Sequence, residues 1–248
     1  MKGGLILTEQ SSAIPKVILT LSDVQNTDKK LINEAVEYID YFDVVEYRAD
    51  LAQGSIEFYE SEIAFIKDKF PSKQILFTYR TEDMNNKTKI TMDAYFELIK
   101  EVIEKKLCDI IDLELMIYED YMDKLLVLAR ANNILVLISH HEYEFTPRIK
   151  DMLAIYNRMS KLDADYCKLA VKPNDGKDVL NLMSAVYETK QNCNLNIIGI
   201  AMGEIGKITR VACGIFGSSM TFGYVGNPVA PGQIHIKDIH DQIVLYKS

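Results

Sequence analysis

The sequence predicts an α/β fold, a (β/α)8 TIM barrel, on three observations. Short β-branched apolar runs recur along the chain, stretches with helical spacing separate them, and several runs lack polar alternation, as strands covered on both faces do. The runs are 17–21, 44–47, 75–78, 110–115, 134–139, 166–171, 197–201 and 220–225, with helix-like segments at 29–41, 92–105, 119–131, 147–162 and 176–189. Eight strands alternating with helices fit a closed barrel better than an open doubly wound sheet, and no glycine fingerprint follows the first strand to suggest the latter. Residues 1–10 precede the first strand and are expected to form a short N-terminal hairpin closing the bottom. No linker or composition break interrupts 1–248, which predicts one domain.

A barrel of this kind carries its chemistry at the C-terminal ends of its strands. The first strand ends near Thr20, and the second runs into Glu46, Arg48 and Asp50. The third reaches Arg80, the fourth Asp112 and Glu114, and the fifth Ser139, His140 and His141. Lys168 stands in the middle of the sixth. The seventh ends at Met202, with Arg210 beyond it, and after the eighth comes a Gly- and Pro-rich loop, 226–233. Ionisable groups at one end of most strands point to a built site.

Composition narrows the partners. Hydrophobic residues are 48% and charged residues 26% of the chain, enough for a large core. A net charge of -8 argues against nucleic acid and anionic membranes, which need a broad basic surface, but not against a small anion in an arginine-lined cleft. Cys108, Cys167, Cys193 and Cys213 form no Cys-x-x-Cys pair, so neither a zinc site nor a disulfide scaffold is predicted. The first eight residues are too short for a signal peptide, and no run approaches the ~20 apolar residues of a membrane span. A cytoplasmic location is expected.

Strand alternation puts Tyr166, Lys168 and Ala170 on one face and the apolar Cys167, Leu169 and Val171 on the other. The apolar set suits the helix layer, so Lys168 faces the barrel interior. Desolvation there favours the neutral amine, which attacks a ketone to form an imine. The plainer alternative, a lysine paired in the core with Asp112 or Glu114, is equally open at this level. His141 follows an apolar strand at the same end and suits proton transfer near neutrality. Its competitor is His140, which one residue of slip would turn toward the helices. No two histidines have ligand spacing with carboxylates nearby, so no metal is expected. Glu46 and Arg48 share a face, and with Arg80 and Arg210 they would bring three guanidiniums to one pocket, suited to binding an acid.

From 15 to 234 these residues resemble the type I 3-dehydroquinate dehydratases. Five segments carry the resemblance: Glu46-Tyr-Arg-Ala-Asp50, Phe77-Thr-Tyr-Arg-Thr81, Ser139-His-His-Glu-Tyr-Glu-Phe-Thr-Pro147, Asp165-Tyr-Cys-Lys-Leu-Ala170 and Ala230-Pro-Gly-Gln-Ile234. Met202-Gly203 followed by Thr209-Arg210 adds a sixth. The resemblance implies a lyase of the shikimate pathway, dehydrating 3-dehydroquinate to 3-dehydroshikimate in aromatic amino-acid biosynthesis. It implies a Schiff base on Lys168, with His141 as general acid and base. Arg210 would grip the substrate carboxylate, Glu46, Arg48 and Arg80 the ring hydroxyls, and Gln233 would close over the top. No metal or organic cofactor is implied, and the chain is expected to be a homodimer. Thr20, where the family tends to have Ser, and Val229, where a hydroxyl residue is common, are weaker substrate-binding positions. Met84 stands where the family often has an acidic or amide residue, with Glu82 and Asp83 as possible substitutes.

Two other functions compete. A class I aldolase or transaldolase also uses a barrel-strand lysine, but needs a glycine-rich phosphate site after strands seven and eight. That region holds Arg210 and the Pro/Gly loop instead, which favours a carboxylate. A non-catalytic binder that kept the barrel is supported only by Met84 and Val229, and both Lys168 and His141 speak against it.

Overall fold

The computed structural model describes residues 14–22, 29–81 and 90–246; the expected hairpin at 1–10 and residues Glu82, Asp83 and Met84 lie outside them. The first half of the chain runs β1 (Lys16–Leu21), α1 (Lys29–Glu37), β2 (Val44–Arg48), α2 (Ala49–Ala52), α3 (Ile56–Lys69), β3 (Gln74–Thr78), α4 (Met92–Glu104) and β4 (Ile110–Glu114). The second runs α5 (Glu119–Ala131), β5 (Leu135–Glu142), α6 (Ile149–Ser160), β6 (Tyr166–Val171), α7 (Gly176–Asn192), β7 (Asn196–Ala201), α8 (Ile208–Val211), β8 (Met220–Tyr224), β9 (Ile234–His235) and α9 (Ile236–Leu245). The strands pair in parallel in the order β7-β6-β5-β4-β3-β2-β1-β8-β9. The sheet curls until a parallel bridge between Ile197 and Ser218 closes it. No described helix is long and apolar enough to cross a membrane.

Short polar caps start three of the longer helices. Ser55, Thr91 and Asp175 accept from backbone amides in the first turns of α3, α4 and α7, satisfying donors the helix cannot use. The barrel's lower rim repeats another device. The residue before each even strand hooks the odd strand beside it: Asp43 accepts from Val17 N (2.9 Å), Asp109 from Ile75 N (2.7 Å) and Asp165 from Val136 N (2.8 Å). Ser219 takes the equivalent place at the closure, donating from its amide (2.7 Å) and its hydroxyl (3.1 Å) to Ile197 O.

Three features depart from the sequence expectation. β5 continues to Glu142 because its ladder with β6 runs on to Glu142 and Val171, so His141 lies within the strand rather than after it. α3 was not singled out, since its buried face mixes Tyr59, Ile63 and Ile66 with a carboxylate, Glu62. β9, a two-residue strand, adds to β8 beyond the expected eight.

Inside the barrel the inward positions fall in tiers, as the period of two requires. Ile18, Val44, Leu76, Ile110, Leu137 and Tyr166 pack with Ile198 and Met220 in an apolar floor. Two residues further along the first six strands, the inward positions are Thr20, Glu46, Thr78, Asp112, Ser139 and Lys168, all buried. Residues of the opposite face, such as Val45, Ile111 and Cys167, pack against the helices.

Candidate active site

Above the polar tier lies a cavity of about 340 Å³ lined by Thr20, Glu46, Arg48, Leu51, His141, Tyr143, Lys168, Met202, Arg210, Phe222 and the loop residues Val229, Ala230, Pro231 and Gln233. Eight of the nine sequence-level candidates therefore meet at one place, all but Arg80: Thr20, Glu46, Arg48, His141, Lys168, Arg210, Val229 and Gln233.

Lys168 enters from β6 with its Nζ 3.8 Å from the centroid of the Phe222 ring. The carboxylates around it are committed elsewhere. Glu46 accepts from Thr20 Oγ1 (2.8 Å) and Thr78 Oγ1 (3.0 Å). Asp112 is paired with Arg80 and accepts from Ser139 Oγ (2.6 Å), and Glu114 accepts from Thr81 N (3.0 Å). The alternative of a core ion pair between Lys168 and Asp112 or Glu114 is thus not what forms; the buried Arg80 guanidinium gives Asp112 two parallel hydrogen bonds, which an ammonium cannot match, and a single one to Glu114 (3.5 Å). Burial pushes the Lys168 ammonium down to about 8; the carboxylates of Glu46 and Asp112 oppose this, and the charges of Arg80 and Arg48 add to it.

β5 separates the two histidines. In its ladder with β6, His141 pairs with the inward Ala170 and His140 with the outward Leu169. The His141 ring stacks on Tyr143, centroids 5.6 Å apart at 20°. Burial holds it well below the ordinary histidine range, and the charges of Arg80, Lys168 and Arg48 press the same way, so the imidazole is neutral and able to accept a proton.

The three arginines divide. Arg210, 2% exposed, donates only to the carbonyls of Phe222 (3.3 Å) and Pro231 (3.4 Å), and its Nε has no acceptor among the described residues. Burial lowers it to about 10. A buried cation without a counter-charge is costly, and a bound carboxylate would relieve that cost. Arg48 also lines the cavity, but Asp50 holds it through two hydrogen bonds. Arg80 does not line the cavity. Its guanidinium sits behind the wall, bound to Asp112 and donating to Ser139 Oγ (2.7 Å), so the expected trio of pocket arginines is a pair with a third charge in support.

The Gly/Pro loop closes one side. Gln233 Oε1 accepts from Val229 N (2.7 Å) and Ala230 N (3.1 Å), while its Nε2 donates to Thr20 Oγ1 (3.5 Å). Gly232 has φ +73°, and a Cβ there would stand 2.2 Å from the Gly203 carbonyl oxygen, so only glycine lets the loop seat this closely. Phe222, Tyr143 and Leu51 were missed in the sequence. Alternation carried a signal for two of them: Phe222 follows inward Met220 by two, and Tyr143 follows His141 by two.

A nucleophilic amine, a neutral imidazole and an uncompensated guanidinium around one small cavity suit carbonyl chemistry on a carboxylic acid. Comparison with known proteins gives the family. The family model for type I 3-dehydroquinase matches residues 17–247. A 3-dehydroquinate dehydratase from Staphylococcus haemolyticus is 33% identical over 94% of this chain and 98% of its own, and one from Neisseria gonorrhoeae is 35% identical over 90% and 87%. Among solved structures, the type I 3-dehydroquinate dehydratase of Clostridium difficile, solved with covalent modified comenic acid, superposes with a TM-score of 0.84 at 31% identity, covering 94% of this chain and 92% of that one. The Geobacillus kaustophilus 3-dehydroquinate dehydratase superposes at 0.82 with 29% identity, covering 93% and 90%. With relatives aligned over nearly their whole length and the family model spanning nearly all of this one, the chain belongs to the type I 3-dehydroquinase family.

Proposed function

We propose that the chain dehydrates 3-dehydroquinate to 3-dehydroshikimate through an imine on Lys168, with His141 moving the protons. The amine of Lys168 condenses with the C3 ketone and releases water. The protonated imine is an electron sink that acidifies C2, so a modest base suffices. His141 takes the C2 proton, and the C1 hydroxyl leaves as water with a proton returned from His141. Water then hydrolyses the imine, restoring the amine, so the net change is loss of one water. Arg210 holds the substrate carboxylate and Arg48 and Glu46 its ring hydroxyls. Arg80 supports this set from behind the wall, Thr20 and Val229 complete the rim, and Gln233 pins the loop above.

The observation that carries this reading is Lys168 itself: an inward amine at the cavity, lowered to about 8 and left without an ion-pair partner among the described residues. The test is to incubate the protein with 3-dehydroquinate, reduce with borohydride and map the adduct by mass. The expected result is an adduct on the peptide holding Lys168; none, or one on Lys172 or Lys207, overturns the proposal. The same reading carries a cytoplasmic, single-domain homodimer, and light scattering reads the mass in solution.

A further inference from the structure

We infer that Asp50 is a positioning residue for Arg48, one that fixes which edge of this guanidinium the substrate meets and which end of the substrate it takes. This rests on the reading that Arg48 binds ring hydroxyls. β2 ends at Arg48, where φ −87° and ψ 82° break the strand, and Asp50 falls in the first turn of α2. The corner brings the two side chains together: Arg48 Nε donates to Asp50 Oδ1 (2.9 Å) and Nη2 to Oδ2 (2.7 Å). Both bonds use one edge of the planar fork. The outer edge, Nη1 included, then has no acceptor among the described residues, and Arg48 lines the cavity. The Asp50 side chain is fully buried and that of Arg48 is 14% exposed, so the clamp stands behind the group that meets substrate.

Asp50 also separates Arg48 from Arg210. Both line the cavity, yet Arg210 has no carboxylate partner among the described residues and Arg48 has one held by two bonds. The unpaired cation attracts an anion; the paired one presents directed donors with its charge already balanced, which suits neutral hydroxyls. The carboxylate of the substrate is thereby sent to Arg210 rather than Arg48, and one orientation is favoured. Holding the fork in place beforehand also avoids ordering a long side chain on binding.

The test is a double-mutant cycle with Asp50→Asn and Arg48→Ala. Asp50→Asn is expected to raise KM about tenfold with kcat within about threefold, the pattern of lost uniform binding. In the Arg48→Ala background the same change is expected to leave KM where Arg48→Ala put it. An unchanged KM in the single variant, a KM rise of equal size in both backgrounds, or a fall in kcat alone overturns the inference. If Asp50→Asn does not fold, Asp50→Glu replaces it in the cycle; it keeps the charge but displaces the carboxylate by one methylene, with the same outcomes read. Borohydride trapping of the wild type is read in parallel. Failure to trap at Lys168 with the cycle as expected would sink the imine and leave the clamp standing.

Discussion

Two tiers of the barrel interior, one step of the strand period apart, do opposite work. The floor of Ile18, Val44, Leu76, Ile110, Leu137 and Tyr166 is apolar, while the tier above it on the same strands is Thr20, Glu46, Thr78, Asp112, Ser139 and Lys168. Both are buried, yet apart from the Tyr166 hydroxyl only the upper one has polar side-chain atoms to match, and most of it is: Thr20 and Thr78 to Glu46, Ser139 to Asp112, Asp112 to Arg80. Lys168 is the member with no hydrogen-bond or ion-pair partner among the described residues, its amine lying over the Phe222 ring. The floor explains why this matters. It keeps water from below, so the amine is desolvated and nearby charges act on it strongly. A fully matched tier would be structural; the same tier with one amine unmatched among the described residues, over an apolar floor, is what the proposed imine chemistry calls for.

The comparison can be broken most severely at the tier above Lys168. His141→Ala is expected to lower kcat by about 10²–10⁴ while the imine on Lys168 can still be trapped, as steady-state kinetics and peptide mass will show. The floor should fail differently. Ile198→Ala is expected to destabilise the fold by about 2–5 kcal/mol in urea unfolding, with the kinetics of the folded fraction little changed. A loss of turnover without loss of stability would mean the floor takes part in the chemistry.

A milder test addresses the charge on Lys168. The free amine is the reactive form, so kcat/KM should fall about tenfold per pH unit below about 8 and level off above it. His141, held well below its ordinary range, is already neutral across that window. Glu46 is a carboxylate that holds the lysine up, so Glu46→Gln should move the inflection to lower pH. An inflection that rises or stays put would show that this carboxylate does not act on the amine. The smallest effect is expected for His140→Ala, whose ring pairs in register with the helix-facing Leu169; kcat within about twofold would sharpen the contrast with His141.

What was legible in the sequence follows from local periodicity. Alternation over Tyr166, Lys168 and Ala170 is enough to turn Lys168 inward, and the structure places it there, 7% exposed. The same rule separates His141 from His140, although the strand proved longer than its apolar run suggested, because the ladder with β6 rather than hydropathy decides where β5 stops. The eight strands and their closure into a barrel were legible from the count of apolar runs, but the contact that makes the closure was not: Ser219 replaces the aspartate used at the other three even strands, and nothing in its neighbourhood announces that it meets Ile197.

The sequence by itself determined the barrel, the inward lysine and the family, since each depends on spacing along one strand or on short segments in order. Only the tertiary structure decided how the charges are shared. Arg80 and Arg210 look alike as strand-end arginines; one finds Asp112 across the β3–β4 pair and withdraws behind the wall, and the other finds, among the described residues, only carbonyls. Asp112 could have paired with Lys168 and does not. The reason is that electrostatic pairing depends on distance and burial between residues 20 to 60 positions apart, quantities that closing the barrel creates and that no local pattern contains.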